Sequence, residues 1–178
     1  MPTHTAHHQL GRFIVAFQHL ESAVNDLLEL TSGGDCEATR ILANDLEYSR
    51  RLSTADVLFA RFVDLRTNTD PTAKAEFHKL MIELRDLGER RNDMVHSRYH
   101  IWIDVHGNEG LLRRSSKLRG KAGEREEVEE ELQPNAFDKD LERLAAAAKR
   151  LEVFRLQVIN WVYPVEEAQQ VARHGHAT

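Results

Sequence analysis

Arg91-Asn92-Asp93-Met94-Val95-His96 places a guanidinium, an amide and an imidazole within about one and a half helical turns. A permanently charged fork can hold a phosphate and stabilise charge growing on its oxygens, and an imidazole can carry a proton near neutral pH. Those are the groups that phosphodiester chemistry needs. The same six residues also describe an ordinary polar patch closing a helix, and spacing alone favours that plainer account.

The elements that must position these side chains are helical. Leu10, Phe13, Ile14, Phe17, Leu20, Val24, Leu27 and Leu28 recur at three- and four-residue steps, giving a first helix that stops at Gly33-Gly34. Glu21 falls on this apolar seam, where a carboxylate is costly unless it meets a donor or cation. A second helical region opens at Asp35, an N-cap by type, and runs to Leu65 with a break near Asn44-Asp45. Asp70-Pro71 starts a third helix that extends to about Arg98, with Phe77, Leu80, Met81, Leu84, Leu87, Met94 and Val95 on its apolar face.

Arg91 lies on that apolar face, one turn after Gly88, so it points toward the bundle or toward a partner more than toward solvent. Asn92 and His96 share an adjacent stripe with Arg85 and Glu89. An inward Arg91 and an inward Glu21 are expected to pair, either to orient the guanidinium for chemistry or only to satisfy a buried charge.

After Tyr99 the composition changes. Residues 100–105 read as a strand, His106–Gly110 as a turn, and Leu111–Arg114 as a returning strand. Arg113, Arg114, Lys117, Arg119 and Lys121 form a basic block, answered by the glutamates between 124 and 131. The charged stretch 117–127 is expected to be mobile, and 129–133 to form a further short strand. A solvated loop paired with the acidic run is favoured for the basic block over an RNA contact. A last helix runs from Pro134 to about Tyr163.

With 178 residues and one cysteine, Cys36, the chain has room for one substantial core and no internal disulfide, which fits a reducing cytoplasm. No apolar run reaches the ~18–20 residues of a membrane span. A net charge of −5 argues against broad nucleic-acid binding but leaves room for a local basic cleft. The fold class is all-α: a four- to five-helix up-down bundle over residues 8–165, with a small β-hairpin excursion at about 100–133 and flexible tails at 1–7 and 166–178. Terminal histidines 4, 7, 8, 174 and 176 do not make a metal site by pattern, and neither a phosphate loop nor paired Glu-x-x-His motifs are present. No metal and no cofactor are expected.

Leu87-Gly88-Glu89-Arg90-Arg91-Asn92-Asp93-Met94-Val95-His96-Ser97 resembles the signature of HEPN-domain proteins, an Arg followed by a polar residue and closed by a His near the end of a bundle helix. The resemblance implies a metal-independent endoribonuclease acting as a homodimer in a toxin, antiphage or stress system, with a cognate antitoxin as a further partner. Arg91 would bind the scissile phosphate, His96 would move a proton, Asn92 would position one of them, and Glu21 would hold Arg91. Arg85, Arg98, Arg113 and Arg114 are the candidate RNA contacts. The family also contains members without nuclease chemistry, so the other class of reading is a catalytically silent helical module that dimerises or binds a nucleotide or protein.

Overall fold

In the computed structural model, which describes residues 5–119 and 123–164, five α-helices and a three-stranded antiparallel sheet form the described chain. The helices are α1 (Ala6–Ser32), α2 (Cys36–Asp45), α3 (Tyr48–Asp64), α4 (Ala73–Val95) and α5 (Asp138–Val162). Strands β1 (Arg98–Ile103), β2 (Glu109–Arg119) and β3 (Glu124–Leu132) lie between α4 and α5, followed by a short 3-10 turn at Pro134–Phe137. The protein is thus mainly α with a β excursion before its last helix.

Local chemistry explains most boundaries. Asp35 accepts from the backbone N–H groups of Glu37 at 2.8 Å and Ala38 at 3.3 Å, which caps α2 as its type predicts. The break in the second helical region falls at Leu46-Glu47, between α2 and α3. Asp70 accepts from the Thr72 N–H at 2.8 Å, but helical residues begin at Ala73, two later than Pro71. Ala6 and His7 belong to α1 rather than to a tail. Residues 1–4 and 165–178, with the histidines they carry, lie outside the described residues.

The chain divides into two compact units. One comprises Leu20–Arg85 and Ala147–Thr178. Its centre is aromatic: Phe59 stacks on Phe77 at 4.1 Å, and Phe154 meets the two rings edge-on at 5.4 and 5.1 Å. The apolar periodicity read for the helices is buried here through Leu20, Val24, Leu52, Phe62, Leu80, Leu84, Leu151 and Val158.

The other unit comprises Met1–His19 and Asp86–Ala146 and contains the sheet. Strand order is β1-β2-β3, so the excursion is a three-stranded meander and not a hairpin. The β2–β3 ladder runs from Leu111↔Leu132 to Arg119↔Glu124, so most of the stretch expected to be mobile is paired strand. Opposite charges cause this: Arg113 faces Glu130 and Arg114 faces Glu129 across the ladder. Lys121 lies outside the described residues.

Alternation splits the sheet into two faces. Leu111, Arg113 and Leu132 are buried on one, while Arg98, His100, Arg114 and Glu129 stand exposed on the other. On the buried face Glu130 accepts from Arg90 of α4 at 2.9 and 2.8 Å and from Arg113 Nε at 2.7 Å. Arg90 Nε also donates to Asp140 of α5 at 2.9 Å. Two cations and two carboxylates thus tie both flanking helices to the sheet. Burial alone would push the Glu130 carboxyl up, but the hydrogen bond and charge of Arg90, with Arg113, hold it below its ordinary value. Burial likewise opposes the Arg90 charge, and the bonds from Glu130 and Asp140 outweigh it, raising the guanidinium above its ordinary value.

Arg113 does a second job. It donates from Nη1 to the Asp93 carbonyl at 3.3 Å and to Ser97 Oγ at 3.1 Å, while Ser97 Oγ donates to the Asp93 carbonyl and Tyr99 Oη to the Met94 carbonyl at 2.7 Å. These groups answer carbonyls that α4 leaves unpaired at its C-terminus, where a cation is also favoured by the helix dipole. The helix therefore ends at Val95, three residues before the sequence suggests, because Arg98 onward is taken up by the ladder with β2.

Two outcomes follow for stability. Glu130→Gln leaves two guanidinium groups facing each other and is expected to cost about 2–3 kcal/mol in urea unfolding, somewhat less than a fully buried pair, with the double change Arg113→Leu and Glu130→Leu recovering part of it. A carboxyl lowered on folding contributes stability above its unfolded value and loses it as pH falls through its folded value. Wild-type thermal stability should therefore fall more steeply below the ordinary glutamate range, near 4.5, than that of Glu130→Gln.

Candidate functional site

The exposed face of the sheet carries an open groove of about 590 Å³, lined by His96 and Arg98, by His100, by Arg114 with Ser116, and by Arg125 beside Glu127 and Glu129. The ladder registers explain the grouping. Arg98 lies opposite Arg114, and Arg114 opposite Glu129, so one row crosses all three strands. A second row pairs Ser116 with Glu127. His96 is delivered from the end of α4, its N–H still donating to the Asn92 carbonyl at 3.0 Å.

Three arginines and two glutamates line this groove, with two imidazoles besides. The glutamates are engaged: Arg114 Nε lies 2.6 Å from Glu129 Oε1, and Arg125 Nη2 lies 2.8 Å from Glu127 Oε1. Arg125 Nε also donates to Ser116 Oγ at 2.7 Å. Among the described residues Arg98, His96 and His100 have neither a hydrogen-bonded side-chain partner nor an ion pair. The groove therefore offers a cation and two proton carriers to a solute.

The structure separates the residues of the Arg-His motif. Arg91 is half-buried and does not line the groove. Its guanidinium sits 5.7 Å from the ring centroid of Phe17, and Nη1 donates to Asn92 Oδ1 at 3.1 Å. Its Nε is buried and has no hydrogen-bond partner among the described residues. Asn92 is exposed, is absent from the groove lining, and its amide oxygen is occupied by Arg91. Glu21 belongs to the other compact unit, where it is half-buried and carries neither a hydrogen bond nor an ion pair among the described residues. What steadies Arg91 is the aromatic face of Phe17 and the neighbouring amide.

The four candidate RNA contacts also divide. Arg98 and Arg114 line the groove. Arg113 does not qualify: its side chain is 5% exposed and committed to Glu130, Ser97 and the end of α4. Strand alternation decides this, since Arg113 and Arg114 must point to opposite faces. Arg85 is exposed on the part of α4 that belongs to the other unit, where it donates to Ser53 Oγ at 3.3 Å. His100 and Arg125 were missed by motif reasoning. Their signal was available only as alternation with Arg98 along one strand and with Glu127 along another.

No three His, Cys, Asp or Glu side chains converge to hold a metal among the described residues, and no helix among them is long and apolar enough to cross a membrane. Cys36 is exposed in the first turn of α2. Comparison with family models, with curated proteins and with solved structures finds no match to this chain.

Arg91→Met keeps a flexible stem on Phe17 and removes a buried, unpaired N–H. Its unfolding free energy should stay within about 1 kcal/mol of wild type, since relief of the orphaned donor offsets the lost Asn92 hydrogen bond and the weakened contact with Phe17. Phe17→Ala should cost about 3–5 kcal/mol, because that ring is 1% exposed. Thermal melts of the two variants check both figures.

Proposed function

We propose that this protein is a metal-independent endoribonuclease of HEPN type, an up-down helical bundle by family, working at the groove on the exposed face of its sheet. The observation that carries the reading is the exposed position of His96 in a groove shared with Arg98, Arg114 and His100. The resemblance of the Arg91–His96 string to the HEPN signature supports the same reading.

On this proposal the guanidinium groups of Arg98 and Arg114 bind the non-bridging oxygens of the scissile phosphate and neutralise charge that develops there. His96 moves a proton at the 2′-hydroxyl or at the leaving 5′-oxygen. Arg91, packed on Phe17 and joined to Asn92, acts as a positioning residue for the end of α4 and so for His96. The partners are RNA, a second copy of the chain and an inhibitory antitoxin. The setting is a toxin, antiphage or stress system in the cytoplasm.

His96→Ala should lower RNA cleavage by about 10²–10⁴-fold, and EDTA should leave wild-type cleavage unchanged. Arg91→Ala should lower kcat more than it raises KM, as expected of a residue that positions another. Wild-type protein that leaves varied RNAs intact, with and without EDTA, sinks the proposal. The buried, unpaired Nε of Arg91 favours a second reading, a catalytically silent binding module. That reading is upheld if the protein retains RNA or a nucleotide in a binding assay without cleaving it.

A further inference from the structure

The sheet has two edges of opposite character. β3 carries glutamates at 126, 127, 129, 130 and 131, a charged edge of the kind that resists strand addition. β1 carries a single charge, Arg98 at its start, and no run of like charges. Ile101 and Ile103 are 69% and 63% exposed, and Val105, just past the strand, is 95% exposed. Among the described residues β2 is the strand partner of β1, and no backbone hydrogen bond from another element reaches the opposite edge of β1.

The apolar row across the sheet is also cut off at this edge. Ile101 faces Leu111, and Leu111 faces Leu132, both of which are buried. The row runs from a packed interior at β3 into solvent at β1. A β-branched strand with unpaired backbone groups and an interrupted apolar row is shaped to receive another strand.

We propose that β1 pairs antiparallel with β1 of a second copy of this chain, about a two-fold axis at Ile101, to make a continuous six-stranded sheet. The sequence of the strand is self-complementary in that register. Ile101 meets its own counterpart, Tyr99 meets Ile103, His100 meets Trp102, and Arg98 meets Asp104 of the second copy. The first two pairs extend the apolar row, and the last sets a cation against an anion. Asp104 is fixed in its own turn, Oδ1 accepting from the N–H groups of His106 and Asn108 and Oδ2 from Asn108 Nδ2 at 2.8 Å each, and its remaining lone pairs would take the Arg98 guanidinium.

Other registers fail on chemistry. A one-residue slip sets apolar side chains on the polar face of the neighbour. Registers centred on His100 or on Trp102 lose the Arg98–Asp104 pair, the former also setting His100 against His100. Pairing about Ile101 brings the two grooves next to each other on one face, with Arg98 at the seam and Arg114 and Arg125 inside each groove. The inference rests on edge geometry and register, and it stands whether or not the groove cleaves RNA.

Light scattering on the full chain should give the mass of a dimer. Ile101→Lys, at an exposed position, should weaken self-association by about 10- to 30-fold with an unchanged circular dichroism melt. In a Cys36→Ser background, Ile101→Cys should form a disulfide-linked dimer under mild oxidation. Val105→Cys should not, because its two copies would stand roughly 25 Å apart along the paired strands. A monomeric full chain overturns the proposal; dimerisation only after removal of residues 165–178 would instead make that segment the occupant of the edge. A dimer that survives Ile101→Lys and fails to cross-link at position 101 overturns it as well, since association would then use another surface.

Discussion

Glu130 is the group on which the sheet-bearing unit depends. It stands between Arg90 and Arg113, and Arg90 reaches on to Asp140, so one carboxylate joins α4, β2, β3 and α5. Two positive and two negative charges close the set, which lets ionic groups sit beneath a sheet where an unbalanced charge would be expelled. Arg113 extends the set to the end of α4, where it and Tyr99 supply donors that the terminal carbonyls lack. A β excursion inserted between two helices needs such a fixture, because its own apolar contribution is small: Leu111 and Leu132 are its fully buried hydrophobic residues among those described.

This fixture decides what the opposite face can do. With Arg113 and Glu130 turned inward, alternation turns Arg98, His100, Arg114, Ser116, Glu127 and Glu129 outward. Most of the basic block and of the acidic run, expected as a charged loop, become adjacent strands joined by pairs such as Arg114 with Glu129, and the groove they line holds two imidazoles without a side-chain partner among the described residues. The end of α4, held by Arg113 and Tyr99, delivers His96 to that groove and leaves Arg91 against Phe17. The motif therefore serves two places: its histidine faces solvent, and its arginine packs.

The sequence alone determined the helices, because a 3.6-residue apolar period and capping aspartates are local signals. The faces read for α1 and α4 are buried at Phe13, Phe17, Leu20, Phe77, Leu80 and Leu84, and Asp35 caps as its type demands. It also located β1 through its β-branched and aromatic residues, and it singled out His96 and Arg98. The length of β2 and β3 was not legible, since Ser115–Arg119 and Glu124–Glu127 lack apolar alternation, and the oppositely charged residues that face each other across the ladder, such as Arg114 with Glu129 and Arg113 with Glu130, lie 15 and 17 residues apart in the chain. Only tertiary structure decided the fate of each charge. Arg113 and Arg114 are the same residue type in adjacent positions, yet one is buried between a carboxylate and a helix end while the other lines a groove. A stripe fixes the direction in which a side chain leaves its helix, and the partner it meets depends on contacts between segments distant in sequence.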